Sequence, residues 1–300
     1  MIMAATWDRE LEDEWFERVE EMVRGALAID ENLSCRWSTL PMQLAELISQ
    51  VSPYPPESFI VDAIATTIGL LLAAWKEYVE KFWGTFPPDK LLATLTSRPR
   101  LDDFLAAFGW PLSVLTNHQS LALSELQERM FRGEGGSAKE YLQRFGVSIR
   151  QPPFSCFVTV QDLKCGVFSL GETLPAFGSF VVGRQRKHNS EPEPVSFVEG
   201  QGENRLIIAA KNQPAQCSRE QLQVIFLTPK HIYLKNLSEV ISLKLQTTFD
   251  RAEGTDSLEE PSELNPLRLN LVQLDCGEAR VVQTPVSIVF PAKILHFRNP

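Results

Sequence analysis

The sequence predicts a multi-domain chain in which an all-α unit precedes an all-β sandwich. From Trp7 to Ile29, the apolar residues Trp7, Leu11, Trp15, Val19, Met22, Val23, Ala26 and Leu27 recur at three- and four-residue steps between Glu and Asp, the period of an amphipathic helix. After Pro152-Pro153 the texture changes to short runs of Phe, Val, Ile and Leu bounded by Gly, Pro and Asn, which is strand patterning. Charge divides the same way: residues 1–146 hold 13 Lys+Arg against 22 Asp+Glu and residues 147–300 hold 16 against 16, so the net −9 belongs to the first half. Three hundred residues suit two domains. The expected boundaries are a helical domain over 1–146, a linker over 147–153 and a sandwich over 154–300.

In the first half, Ser38 is placed to cap a helix from about Leu40 to Val51, which Pro53, Pro55 and Pro56 stop. A helix from about Glu57 to Trp83 follows. Its uncharged part, Ala63 to Trp75, falls short of the roughly 20 residues a spanning helix needs, so it reads as a core helix and no membrane is expected. Pro87-Pro88 opens a helix to about Ser97 and Pro99 another to Phe108; further helices are expected over Ser120–Arg132 and Ser137–Phe145, the last ending at Gly146. The acidic residues at Asp8–Glu17 and the pair Asp102-Asp103 suit a solvated face and a helix N-terminus better than a cation site or acid–base catalysis. His118 has no second ligand at helical spacing.

In the second half, strands are expected over 154–161, 166–170, 179–182, 205–209, 222–227, 231–234, 240–246, 267–272, 280–283, 287–290 and 294–297, many short strands with turn signals between them. Two polar insertions, Asn189–Asn204 and Asp250–Pro266, read as loops.

An acidic first half and a neutral second half without a basic stripe argue against nucleic acid as a partner. Five scattered cysteines without a C-x-x-C, and an N-terminus that turns acidic at once, point to reduced thiols and a cytoplasmic location. The sequence contains no G-x-S-x-G, no G-x-x-x-x-G-K-[ST] and no H-E-x-x-H, so the expectation is a binding protein without cofactor, metal or catalytic residues. An enzyme of unknown class in residues 1–146 is the remote alternative.

The candidate site lies between Phe177 and Leu245. Gly183-Arg184 follows an apolar pair, Ser218-Arg219-Glu220-Gln221 precedes a strand-like run, and Asn236-Leu237-Ser238 closes another. Loops at one end of a sandwich are neighbours in space, so a guanidinium and a hydroxyl carried there can converge on one anion. From Gly183 to Lys244 the chain holds 9 Lys+Arg against 6 Asp+Glu, a mildly basic stretch in a neutral domain. Plainer roles also fit: a surface arginine paired with a Glu, and a turn before a strand.

In the order of its runs and their punctuation, the second half resembles the forkhead-associated (FHA) domain, a β-sandwich that binds phosphothreonine peptides. The family has Gly-Arg at the end of its third strand, Ser-Arg-x-His before its fifth and an Asn-Gly turn after an Asp/Asn-x-Ser segment. The resemblance implies that Arg184 and Ser218 seat a phosphate, that Arg219 supports it, and that Asn236 and Ser238 line the neighbouring loop. It implies a signalling adaptor whose partner is a phosphothreonine protein. The resemblance covers about residues 154–298; the helical half resembles no recognised family, and its helical, acidic character is read as a docking unit for a second protein. Gln221 replaces the histidine; its amide is expected to hold a turn but not to brace the fold in the same way, while Val240-Ile241 stands near the Asn-Gly position. These departures keep open a degenerate FHA-like scaffold that binds without phosphate.

Overall fold

The computed structural model describes residues 7–29, 36–116, 118, 121–122, 155–164, 166, 168–175, 179–186, 192–198, 204–248 and 269–298. They divide into two compact units, residues 1–153 and 154–300.

In the first unit the helices are α1 (Arg9–Ala26), α2 (Leu40–Ser49), α3 (Glu57–Phe82), α4 (Pro88–Ser97) and α5 (Leu101–Ala107), with a 3₁₀ turn at Leu112–Thr116. Asp8 caps α1, its carboxylate accepting from the Leu11 N–H at 3.0 Å, and Trp15, Val19 and Val23 make the buried stripe that the four-residue spacing requires. The acidic face is solvated, with Glu14–Arg18 and Glu20–Arg24 paired one turn apart at 2.7 and 2.9 Å.

Helix α3 is long and apolar enough to cross a membrane by length and composition, yet Phe59, Ile60, Ile64, Ile68, Leu71 and Trp75 are all buried within the protein. It is built as a core helix. Tyr78, Phe82 and Phe86 extend that core, with the Phe82 and Phe86 rings stacked at 4.3 Å. Asp103, in the first turn of α5, accepts from the Arg100 N–H at 2.6 Å, the return half of a capping box, so one of the two adjacent carboxylates has a structural task.

The cap of α2 differs from expectation. Thr39, in helical conformation, holds the N-cap position, because a helical turn at residues 36–37 already leads into α2 and the Thr39 hydroxyl donates back to the Arg36 carbonyl. The helix expected over 120–132 lies outside the described residues except for Leu121 and Ala122, and that over 137–145 lies wholly outside.

The second unit is two six-stranded sheets. One has the order β2-β1-β12-β11-β8-β9 and the other β10-β7-β6-β3-β5-β4, with all pairs antiparallel except β3 with β5. The strands of the first sheet are β1 (Ser155–Asp162), β2 (Phe168–Pro175), β8 (Leu243–Thr248), β9 (Leu269–Leu274), β11 (Val286–Val289) and β12 (Lys293–Arg298). Those of the second are β3 (Ser179–Arg184), β4 (Ser196–Val198), β5 (Asn204–Ala209), β6 (Leu222–Phe226), β7 (His231–Asn236) and β10 (Ala279–Gln283).

Alternate residues of both sheets fill the space between them: Val158 and Val160, Leu295 and Phe297, Phe180 and Val182, Val224 and Phe226. Phe297 of one sheet lies 6.2 Å from Phe180 and 6.3 Å from Phe226 of the other, closing the core with aromatic contacts. Each such buried side chain contributes about 1.5–3 kcal/mol relative to exposure.

The expectation of a loop throughout 189–204 needs correction, because Ser196–Val198 forms β4 and pairs with β5. Its register partner set, Phe197 opposite Leu206, lets Phe197 meet Phe180 edge-on at 5.8 Å. The Asp250–Pro266 insertion lies outside the described residues.

Candidate functional site

Three connections meet at one end of the second sheet. Gly183-Arg184 closes β3, Cys217 to Gln221 leads into β6, and Leu237 to Ser242 leaves β7. The Arg184 N–H donates to the Ser218 carbonyl at 3.0 Å, the Gln221 N–H to the Val182 carbonyl at 2.9 Å and the Leu237 N–H to the Gln221 carbonyl at 2.8 Å, so backbone bonds alone bring the three together. Such close passage constrains Gly183, where a Cβ would overlap the Arg219 carbonyl oxygen.

A buried amide network holds this junction. Gln221 and Asn236 are fully buried. The Gln221 side-chain oxygen accepts from the Ser218 N–H at 3.0 Å, and its NH₂ donates to the Asn236 Oδ1 at 2.9 Å and to the Ile241 carbonyl at 3.0 Å. Asn236 donates to the Ile241 and Leu274 carbonyls at 2.9 and 3.1 Å and accepts from the Ser238 N–H at 3.1 Å. Both donors and both lone pairs of the Asn236 amide are thereby engaged. Asn236 is a brace rather than a loop-lining group, and Gln221 holds the turn before β6 through its amide, as expected, and also ties it to the loop after β7.

The hydroxyls come next. Ser218 Oγ and Ser238 Oγ lie 2.8 Å apart, and Ser238 Oγ also accepts from the Val240 and Ile241 N–H groups at 3.2 and 3.0 Å. Ser238 is buried and Ser218 half-buried, so Ser218 is the more accessible residue of the two. Val240, at the tip of that loop, is 81% exposed.

Around them stands a cationic cluster. Arg184, half-buried, donates from Nη1 to the Lys211 carbonyl at 2.8 Å, and no carboxylate pairs with it among the described residues. Arg186 pairs with Glu220 at 2.7 Å. Arg205, buried on β5, donates to the Arg184 and Arg219 carbonyls at 3.3 and 3.0 Å and lies 3.8 Å from Glu220. Arg219 is exposed. Among the described residues, Glu220 is the carboxylate that meets this cluster, paired with Arg186 and near Arg205, while Arg184 and Arg219 are cations that an anion at this end of the sheet would meet.

The structure therefore places all five residues singled out from sequence at one junction, with Arg184, Ser218 and Arg219 reaching solvent and Asn236 and Ser238 inside it. Arg205 was missed. An arginine within the apolar run Asn204–Ala209 gave no sign that its guanidinium clamps two neighbouring backbones.

Beside the cluster, burial pushes the Cys217 thiol up to about 12, against the opposing pull of the Arg184 and Arg205 guanidiniums. Thiolate is the reactive form, so at pH 8 Cys217 is expected to resist iodoacetamide in the native chain while exposed Cys276 is alkylated, as peptide mass spectrometry would register. Labelling of Cys217 as fast as Cys276 would mean that this end of the sheet opens freely.

No group of three or more His, Cys, Asp or Glu suited to a metal ion occurs among the described residues. His118 meets Glu57 at 2.9 Å. His231 is buried against Thr228 and Gln283, and His296 sits between Ser287 and Gln161. Compared with known proteins, the chain matches no protein-family model and no curated protein sequence.

Proposed function

We propose that this chain is an intracellular interaction protein whose β unit, an FHA-like sandwich, binds phosphothreonine in a partner. One observation carries the reading: the Gly-Arg at the end of β3, the Ser-Arg before β6 and the Asn-x-Ser after β7 meet at a single cationic junction, with Arg184 and Ser218 joined by a backbone bond. The order supports the family resemblance as well. Gly183-Arg184 closes the third strand, as the family pattern has it, and the short strand β4 accounts for Ser218-Arg219 preceding the sixth strand here instead of the fifth.

Titration of the full chain against a phosphothreonine peptide library tests the proposal. Peptides are expected to bind only when phosphorylated, and Arg184→Ala is expected to weaken them at least about tenfold, since a bond to a charged group is worth about 1.5–3 kcal/mol. Binding that ignores the phosphate, or that survives Arg184→Ala intact, overturns it.

Val240-Ile241, standing where the family has Asn-Gly, favours a second reading, a scaffold that docks partners without phosphate. Val240 offers an exposed apolar contact there, and Ile241 gives its carbonyl to Gln221 and Asn236. Silence across the library together with capture of unphosphorylated partners would support it.

The helical unit is the place for a second protein partner. An open concavity of about 550 Å³ lies beside α1, lined by Met22, Ala26, Gln43, Glu46 and Leu47.

A further inference from the structure

We propose that Ser238 is a positioning residue that fixes the Ser218 hydroxyl as a hydrogen-bond donor towards the bound anion; the inference rests on the phosphate-reading function above. A serine hydroxyl has one hydrogen and two acceptor lone pairs. Ser238 Oγ accepts from the Val240 N–H and from the Ile241 N–H, which occupies both lone pairs. Only its hydrogen is left for the contact with Ser218 Oγ at 2.8 Å, so Ser238 donates and Ser218 accepts. The Ser218 hydrogen is then directed away from Ser238, and no described residue accepts it.

The rest of the junction makes this polarity permanent. The Ser218 N–H is held by the Gln221 side chain and its carbonyl receives the Arg184 N–H, so the backbone that carries the hydroxyl is fixed, and reversing the pair would require Ser238 Oγ to give up one of its two N–H bonds. Ser238 is itself buried, and its N–H is held by Asn236. A hydroxyl that must donate suits a ligand that only accepts, which describes a phosphate dianion, and it disfavours a ligand that presents its own hydrogen. A partly buried donor whose direction is set beforehand also requires no reorganisation when the anion arrives.

The test is a double-mutant cycle in the full chain, with inorganic phosphate as probe and the Arg184 amide shift as the readout of affinity. Ser218→Ala and Ser238→Ala are each expected to weaken phosphate binding about tenfold. Because Ser238 acts through Ser218, the double variant is expected to be no weaker than Ser218→Ala by more than about twofold. Ser238→Thr, which keeps the oxygen and its hydrogen, is expected to restore binding.

Three outcomes overturn the inference alone: parental binding by Ser238→Ala, losses that multiply to about a hundredfold in the double variant, or failure of a folded Ser238→Thr to restore what Ser238→Ala loses. Should Ser238→Ala not fold, Ser238→Cys replaces it, since a thiol of similar size is a weak donor and acceptor, and the same cycle is read. If the parent chain shows no saturable shift at Arg184, the phosphate-reading function itself fails.

Discussion

Gly183→Ala is expected to lower the stability of the β unit by about 3 kcal/mol, at the upper end for overpacking. For a domain of this size that is a fall of about 6–12 °C in melting temperature. The added methyl would overlap the Arg219 carbonyl oxygen, and neither backbone can retreat. Behind Gly183, Val182 accepts the Gln221 N–H; ahead of it, the Arg184 N–H is bonded to Ser218. On the far side, Arg205 grips the Arg184 and Arg219 carbonyls together. Steric overlap with backbone pinned on both sides leaves no flexible side chain to absorb the change. Scanning calorimetry of the full chain is the check, and phosphate binding should fall with stability because the same carbonyl belongs to the Ser218-Arg219 turn. A melting temperature equal to the parent's would show that the junction is looser than its hydrogen bonds imply.

The second large effect is expected at Gln221. Replacing it with Leu keeps the volume but removes three hydrogen bonds from a fully buried position. The consequences are unequal. Asn236 Oδ1 keeps the Ser238 N–H and the Ile241 carbonyl keeps the Asn236 amide, whereas the Ser218 N–H loses the partner that the Gln221 side chain supplies. One orphaned amide and two weakened acceptors amount to a loss of about 2–3 kcal/mol. Gln221→His is expected to cost only about 1 kcal/mol, because a neutral imidazole has one acceptor for the Ser218 N–H and one donor for Asn236 or Ile241. Chemical denaturation of the two variants would measure the difference; equal losses would mean that side-chain volume, not hydrogen bonding, governs this position.

Much of the fold was legible because it is written in period and punctuation. Trp15, Val19 and Val23 mark the buried face of α1 by spacing alone, and the alternation of Phe180 with Val182 and of Leu295 with Phe297 marks the inner faces of the two sheets. Strand β4 escaped notice because three residues between Glu-Pro-Glu-Pro and a Gly-containing stretch show no period; its pairing with β5 is a tertiary fact. The α2 cap was misplaced by one residue for a similar reason, since a hydroxyl before a helix signals a cap wherever the chain is extended, and here it is already helical.

The site was legible as a list of residues and not as a mechanism. Arg184, Ser218 and Ser238 stand out as polar groups at strand ends, but nothing in their spacing says that two hydroxyls more than one strand apart touch, or which of them donates. That direction follows from the loop after β7, whose two N–H groups turn to one oxygen only when the loop is folded. Arg205 shows the converse. A charge inside an apolar strand reads as an exception to be tolerated, and its use emerges only once the Arg184 and Arg219 carbonyls are seen to converge on it.

A crystal structure of the 300-residue chain grown with free phosphothreonine tests the central claim most directly. The phosphate is expected at the junction of β3, β6 and β7, its oxygens within about 3 Å of the Arg184 guanidinium and of Ser218 Oγ. A phosphate bound elsewhere on the chain, or that junction empty at a saturating concentration, would contradict the account.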